Sequence, residues 1–125
     1  MRLLLDTHSL LWWLLDSPSL SNTARTAIAD ERNEVLTSAA SFYELHFKAR
    51  RNRLPIGSRQ LATGLTASGL TALSISLDHA VRAAQLDWSH RDPWDRILAA
   101  QAQLEQAVIV SRDVVFDQIE LPRVW

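Results

Sequence analysis

Residues 2–6 read "RLLLD" and residues 108–113 read "VIVSRD", each a short apolar run closed by an aspartate. A strand with one solvated face alternates apolar and polar residues, and these runs do not alternate. They read as strands buried on both faces, as in a parallel sheet covered by helices on each side. "EVLT" at 34–37 and "LTALSI" at 70–75 supply two further strands, and "ELPRVW" at the C-terminus supplies a short edge strand where Pro122 is tolerable.

Helical patterns lie between these runs. "SNTARTAIADER" at 21–32 opens on a Ser21 cap and carries Ala24, Ala27 and Ile28 on one face. "SAASFYELHFKARR" at 38–51 presents Phe42, Leu45 and Ala49 as a buried stripe, with Glu44 and Lys48 paired one turn apart. "LDHAVRAAQLD" at 77–87 and "PWDRILAAQAQLEQA" at 93–107 continue the alternation, the latter with Ile97, Leu98, Gln101 and Leu104 along one side. Residues 57–69 read as a helix weakened by Gly57, Gly64 and Gly69. The helix "SLLWWLL" at 9–15 is apolar on too many sides for one buried face, so Trp12 or Trp13 either fills a core from two sides or meets a partner. Strands alternating with helices define an α/β sandwich with a mostly parallel sheet of four to five strands, and residues 1–125 read as one domain.

Composition narrows the function. At 47% hydrophobic and 22% charged residues the chain has an ordinary globular balance, which excludes a disordered or fibrous protein. The absence of cysteine removes disulfides and thiolate metal sites. Asp6 interrupts the N-terminal leucines too early for a signal peptide or a membrane span, which makes the cytoplasm the expected location. A net charge of −1 argues against holding nucleic acid by bulk charge alone. Twelve of the thirteen cations are arginines, whose planar fork suits phosphate. Lys48, Arg50, Arg51 and Arg53 cluster in one run, and Arg91 and Arg96 flank another motif, so these are the candidates for phosphate contact.

The acids carry the chemistry. In open parallel α/β sheets, ligands bind outside the carboxyl ends of the strands. Asp6 follows the first strand, Asp113 follows the fourth, and Glu44 lies in the first turns of the helix after "EVLT". Asp117 is a substitute for Asp113. In "HRDPWDR" at 90–96, Asp92 before Pro93 has the form of a helix cap and Asp95 falls in the first turn. Because that helix precedes a strand, spacing alone leaves the edge to which Asp95 belongs open. Gathered carboxylates repel one another unless a cation sits among them, and an all-oxygen set selects a hard ion such as Mg²⁺ or Mn²⁺. His8, His46, His79 and His90 show no paired ligand spacing, and neither a glycine-rich phosphate loop nor a nucleophile elbow is present. Metal-assisted hydrolysis is the reaction class that these residues leave standing.

Four blocks together resemble a known family: "LLLDTHSLLWWL" at 3–14, "SAASFYELHFKARRNRL" at 38–54, "HRDPWDRILAAQA" at 90–102 and "VIVSRDVVF" at 108–116. In order and spacing they are similar to PIN-domain ribonucleases, and more narrowly to the VapC-type toxins of bacterial toxin–antitoxin pairs. The resemblance implies a PIN-like α/β/α sandwich and an Mg²⁺- or Mn²⁺-dependent endoribonuclease. It implies that Asp6, Glu44, Asp95 and Asp113 are the metal-binding and catalytic acids, with Asp95 brought to the same cluster as the others. Thr7 and Ser111 match supporting hydroxyl positions, and Asp92 supports Asp95 as its helix cap. An RNA substrate, an antitoxin that blocks the site and a homodimer follow from the same resemblance. Tyr43 stands where the family commonly has tryptophan, "RNRL" at 51–54 replaces a glycine-containing turn, and His46 is unusual in its helix.

Two other classes compete. A receiver-type phosphoacceptor domain also gathers acids at strand ends, but it needs a lysine after a late strand, and Lys48 is the sole lysine. A PIN-fold module that binds nucleic acid or protein without turnover would keep the acids and the metal and lose cleavage.

Overall fold

The computed structural model describes all 125 residues. Five strands form one sheet: β1 (Arg2–Leu5), β2 (Glu34–Ser38), β3 (Thr71–Leu73), β4 (Val108–Val110) and β5 (Arg123–Val124), in the order β3-β2-β1-β4-β5. Every pairing is parallel, with Leu4 opposite Leu36 on one side and Ile109 on the other. The helices are α1 (Thr7–Leu14), α2 (Asn22–Ala29), α3 (Ala39–Arg50), α4 (Ser58–Ala67), α5 (Leu77–Gln85) and α6 (Pro93–Leu104). A 3₁₀ turn over Val114–Ile119, which no periodicity announces, joins β4 to β5. The edge strand at the C-terminus forms despite Pro122, whose carbonyl still accepts from the Ile109 N–H at 2.9 Å.

Side-chain alternation explains why the strands read as unbroken apolar runs. Leu3, Leu5, Val35 and Val110 enter one core with α1, α2, α3 and α4. Leu4, Leu36 and Ile109 point the other way, into a second core with Leu98, Ala99 and Ala102 of α6 and with Phe116. Both faces are dry, so an apolar residue is favoured at every position, and truncating one of these leucines to alanine costs about 2–5 kcal/mol. Trp12 and Trp13 are partly buried against the first core, so the apolar excess of α1 is packed inside the chain to that extent. The buried side of α6 runs through Leu98, Ala99, Ala102 and Gln101, whereas Leu104, expected on that side, is exposed.

Two features of topology position the site. The sheet winds outward from β1 in both directions, toward β2 and β3 on one side and β4 and β5 on the other. The point of reversal lies between β1 and β4, and a crevice opens there at the carboxyl ends of the strands. In addition, α5 and α6 form an antiparallel pair: His79 at the start of α5 meets Glu105 at the end of α6, with Nε2 and Oε1 3.2 Å apart. Arg2, at the start of β1, donates to the Glu105 carbonyl at 2.7 Å. α6 therefore ends at the amino edge of the sheet and begins at the carboxyl edge. In the turn after α3, Asn52 takes a left-handed φ of 56°, which asparagine tolerates where glycine is otherwise favoured.

Candidate active site

The crevice collects four acids, each delivered by a helix start or an early helical turn. Asp6 caps α1: its Oδ1 accepts from the Ser9 N–H at 2.8 Å. Asp113 caps the 3₁₀ turn, accepting from the Val115 N–H at 2.9 Å. Asp92 caps α6 through the Trp94 and Asp95 N–H groups, as its place before Pro93 predicts, and this puts Asp95 in the first turn. Ser38 caps α3, whose second turn carries Glu44. The direction of α6 settles the position that spacing left open, since a helix ending where β4 starts must begin at the carboxyl edge.

Hydroxyl groups tie the acids together. Ser111, fully buried, donates to Asp6 Oδ2 at 2.5 Å, and its Oγ accepts from the Asp113 N–H at 3.0 Å. Thr7, next to Asp6, donates to Glu44 Oε1 at 2.9 Å and lies 3.0 Å from the Ser41 hydroxyl. On the remaining side the link is electrostatic. Burial pushes the Glu44 carboxyl above its ordinary pKa, against the Thr7 hydrogen bond and the Lys48 charge, and the charges of Asp92 and Asp95 push it further. Asp95 is likewise raised, first by burial and then by Asp92 and Asp113, while its contact with His90 works the other way. The acids edge the crevice as a ring that hydrogen bonds join from Asp113 through Ser111 to Asp6 and from Thr7 to Glu44, while only charge relates Asp95 to Asp113 and Glu44.

A groove of about 390 Å³ opens beside this ring, lined by Asp6, His8, Trp12, Arg112, Asp113 and Val114. The donor chemistry of the ring, four carboxylates and no soft ligand, fits a hard divalent cation. Repulsion among the half-buried acids is the strain that such an ion would relieve. The acids stand around the crevice and do not meet at a point: no three His, Asp or Glu side chains converge closely enough to hold an ion as they lie.

The structure sorts the remaining candidates. Arg50, Arg51 and Arg91 are exposed and Lys48 is half-buried. Arg96 faces inward: its guanidinium donates to the carbonyls of Ala83, Trp88, His90 and Leu86 at 2.7–3.0 Å, with a longer contact to Ala84. Arg96 is a structural arginine that fastens the loop between α5 and α6, not a phosphate contact. Its guanidinium N–H groups supply donors to backbone carbonyls of a loop in which only Trp88 is buried. The expected ion pair between Glu44 and Lys48 is absent, because Glu44 turns to Thr7. Asp117, considered as a substitute for Asp113, is held by Arg123 through two contacts at 2.8 and 2.9 Å, which keep its carboxyl below the usual range.

Three residues at the site have no reading of this kind in the sequence. His90 Nε2 lies 2.7 Å from Asp95 Oδ2 while the ring packs on Trp88 with centroids 4.8 Å apart. Ser41 meets Thr7, and Ser9 both donates its N–H to Asp6 and ties its hydroxyl to the Val110 carbonyl at 2.9 Å. Ser9 had a signal, the three-residue step from a capping aspartate. No local spacing marks His90 or Ser41.

An acid-edged crevice at the switch point of a parallel α/β sandwich is where this class of fold takes ligands, and comparison supplies the family. The PIN domain profile matches residues 3–121, and the chain belongs to the PIN domain family. No curated protein matches it in sequence. Among solved structures it is similar to VapBC2 from Rickettsia felis bound to a promoter DNA fragment (TM-score 0.76, 17% identity, 98% of this chain and 97% of that one). It is similar also to a toxin–antitoxin complex from Klebsiella pneumoniae (TM-score 0.66, 22% identity, 89% and 86% covered). A third, VapC20 from Mycobacterium tuberculosis, a sarcin–ricin-loop-cleaving toxin, aligns at TM-score 0.71 and 15% identity over 95% of each chain. At these identities the likeness is one of fold. No helix is long and apolar enough to cross a membrane.

Proposed function

We propose that this chain is a divalent-cation-dependent endoribonuclease that acts in the cytoplasm as the toxin of a toxin–antitoxin pair. The observation that carries the reading is the hydrogen-bonded series Asp113, Ser111 and Asp6, with Thr7 next to Asp6 bonded to Glu44, at the switch point of the sheet. Asp6, Glu44, Asp95 and Asp113 would hold Mg²⁺ or Mn²⁺. When bound, such an ion supplies Lewis acidity at phosphorus and neutralises charge on the phosphoryl oxygens.

The protein's own contribution is to set these carboxylates in place before substrate arrives. Ser111 fixes the rotamer of Asp6 and the backbone of Asp113 together, Thr7 fixes Glu44, and His90 fixes Asp95. Burial holds Glu44 and Asp95 poorly solvated, so a cation gains more from them than from exposed acids. Lys48 and the exposed Arg50, Arg51 and Arg91 would position the RNA backbone.

Support for a toxin comes from the fold it shares with VapBC2, with the toxin–antitoxin complex from Klebsiella pneumoniae and with the loop-cleaving VapC20. An antitoxin is the expected protein partner, and a homodimer the expected assembly. A receiver-type domain lacks support, because the sole lysine, Lys48, lies on α3 and not after a late strand. The test is incubation of the purified chain with structured RNAs and Mg²⁺ or Mn²⁺. Cleavage that stops on chelation is expected. Intact RNA at every metal concentration, with the metal bound, would instead favour a non-catalytic binding module.

A further inference from the structure

None of the four acids has both carboxylate oxygens free. Asp6 accepts on each, from the Ser9 N–H at Oδ1 and from the Ser111 hydroxyl at Oδ2. Glu44 accepts from Thr7 at Oε1, and Asp113 accepts from the Val115 N–H at Oδ1. Asp95 Oδ2 lies 2.7 Å from His90 Nε2, and because an ionised carboxylate only accepts, the imidazole is the donor there. The donors to the other three acids are backbone N–H groups and buried hydroxyls, whereas His90 is carried by the loop between α5 and α6. That loop is not slack. The imidazole lies against Trp88 with centroids 4.8 Å apart, and Arg96 holds the Trp88 and His90 carbonyls at 2.8 and 3.0 Å. The ring is thus fixed from two sides, with its Nε2–H aimed at one oxygen of Asp95.

We propose that His90 is a positioning residue for cation choice: by holding Asp95 at Oδ2 it leaves Oδ1 as the free oxygen and biases the acid ring toward Mg²⁺ or Mn²⁺ over Ca²⁺. Mg²⁺ demands a near-ideal octahedron at about 2.0–2.1 Å and is satisfied by single carboxylate oxygens and water. Ca²⁺ is larger, takes roughly six to eight oxygens at about 2.3–2.6 Å, and often draws both oxygens of one carboxylate. Where each carboxylate already has an oxygen committed to a donor, binding through both oxygens sacrifices a hydrogen bond, and binding through one does not. Asp95 is the acid at which this restraint comes from a single side chain outside the core. The inference rests on the reading of the four acids as cation ligands. It adds the choice among hard cations, which an all-oxygen donor set leaves open.

Two substitutions separate the donor from the ring. His90→Phe keeps a ring against Trp88 and removes the N–H, while His90→Gln removes the ring and keeps an amide N–H of similar reach. Each full-length chain is freed of metal, checked by a thermal melt, and titrated without RNA with Mn²⁺ alone and with Ca²⁺ alone, binding being read by calorimetry. The native chain should bind Mn²⁺ more tightly than Ca²⁺. His90→Phe should lose about tenfold in Mn²⁺ affinity, the scale typical of a partner behind a metal ligand, and keep its Ca²⁺ affinity. His90→Gln should keep the native preference. The proposal is overturned if the native chain does not prefer Mn²⁺, if His90→Phe keeps the native preference, or if His90→Gln loses as much as His90→Phe. Cleavage of a structured RNA with Mn²⁺, measured on the same preparations, separates the two readings. Cleavage by the native chain with an unchanged cation preference in His90→Phe rejects the positioning role alone. A preference that depends on His90 in a chain that leaves RNA intact rejects the nuclease reading and retains the cation site.

Discussion

Ser111 and Asp6, 105 positions apart in sequence, share a buried hydrogen bond of 2.5 Å from the serine hydroxyl to the aspartate Oδ2. The same serine oxygen receives the Asp113 N–H, so one side chain sets the relation between the ends of β1 and β4. Ser111→Ala would free the Asp6 carboxylate to rotate and leave the Asp113 N–H without a partner. The expected result is a loss of about 1–2 kcal/mol of stability. RNA cleavage should fall by about tenfold to hundredfold. Urea unfolding and initial rates check the two effects separately, and native rates in a destabilised variant would remove Ser111 from the site.

Asp92 and Asp95 lie in one turn and divide two jobs between them. Asp92 is exposed and makes two backbone capping bonds, so Asp92→Ala should cost about 1 kcal/mol and Asp92→Asn, which can still cap, much less. Asp95 makes no capping bond and faces His90 and the other acids. Asp95→Asn should reduce cleavage by more than about hundredfold in a folded protein, beyond the usual loss from an outer partner. Equal losses from Asp92→Asn and Asp95→Asn, measured as kcat/KM on one RNA, would contradict the division.

The acid ring has a cost in stability. A carboxyl whose pKa in the folded chain lies above its unfolded value binds its proton more tightly in the native state. It favours folding at low pH, and that contribution is lost as pH rises from the unfolded pKa through the folded one. Glu44 and Asp95 are both of this kind, raised chiefly by burial. At neutral pH and without metal, Glu44→Gln and Asp95→Asn should therefore raise Tm by a few degrees while removing activity. The acid limb of the rate profile should lie above the ordinary carboxylate range of about 4, and higher Mg²⁺ should move it to lower pH because the ion competes with the proton. Calorimetry on the two variants and rate profiles at two metal concentrations check these directions; a lowered Tm in both variants would count against the strained ring.

Arg96 is the residue whose role the sequence misstates most. Beside Arg91 in "HRDPWDR" it reads as a phosphate contact, yet it closes the α5–α6 loop through carbonyls of Ala83, Trp88, His90 and Leu86. Arg96→Ala leaves those carbonyls without a donor and should cost about 2–4 kcal/mol. RNA affinity per folded molecule should stay unchanged. A stable Arg96→Ala chain with weakened RNA binding would restore the first reading.

Much of the architecture was legible because burial on both faces of a parallel strand leaves a local mark. "RLLL", "EVLT" and "VIV" fall within β1, β2 and β4, and the acid after each run falls at the crevice. Asp92 was legible as a cap because capping is a matter of adjacent residues. What was not legible depends on contacts distant in sequence. The His90–Asp95 contact, the inward turn of Arg96 and the Thr7–Glu44 bond each require the packed helices to exist first. The 3₁₀ turn over 114–119 lacks a clear period, and only its cap, Asp113, stood out, read there as a ligand and not as a cap.

The central claim is that the four acids form one cation-dependent cleavage site. Its most direct measurement is cleavage of a structured RNA by the native chain and by Asp95→Asn, each titrated with Mn²⁺ from a chelated start, with thermal shift recorded in parallel. The account predicts that Mn²⁺ raises both cleavage and Tm of the native chain, and that Asp95→Asn shows neither response while remaining folded. Cleavage that persists in chelator, or a native chain that gains neither activity nor Tm from the metal, would contradict it.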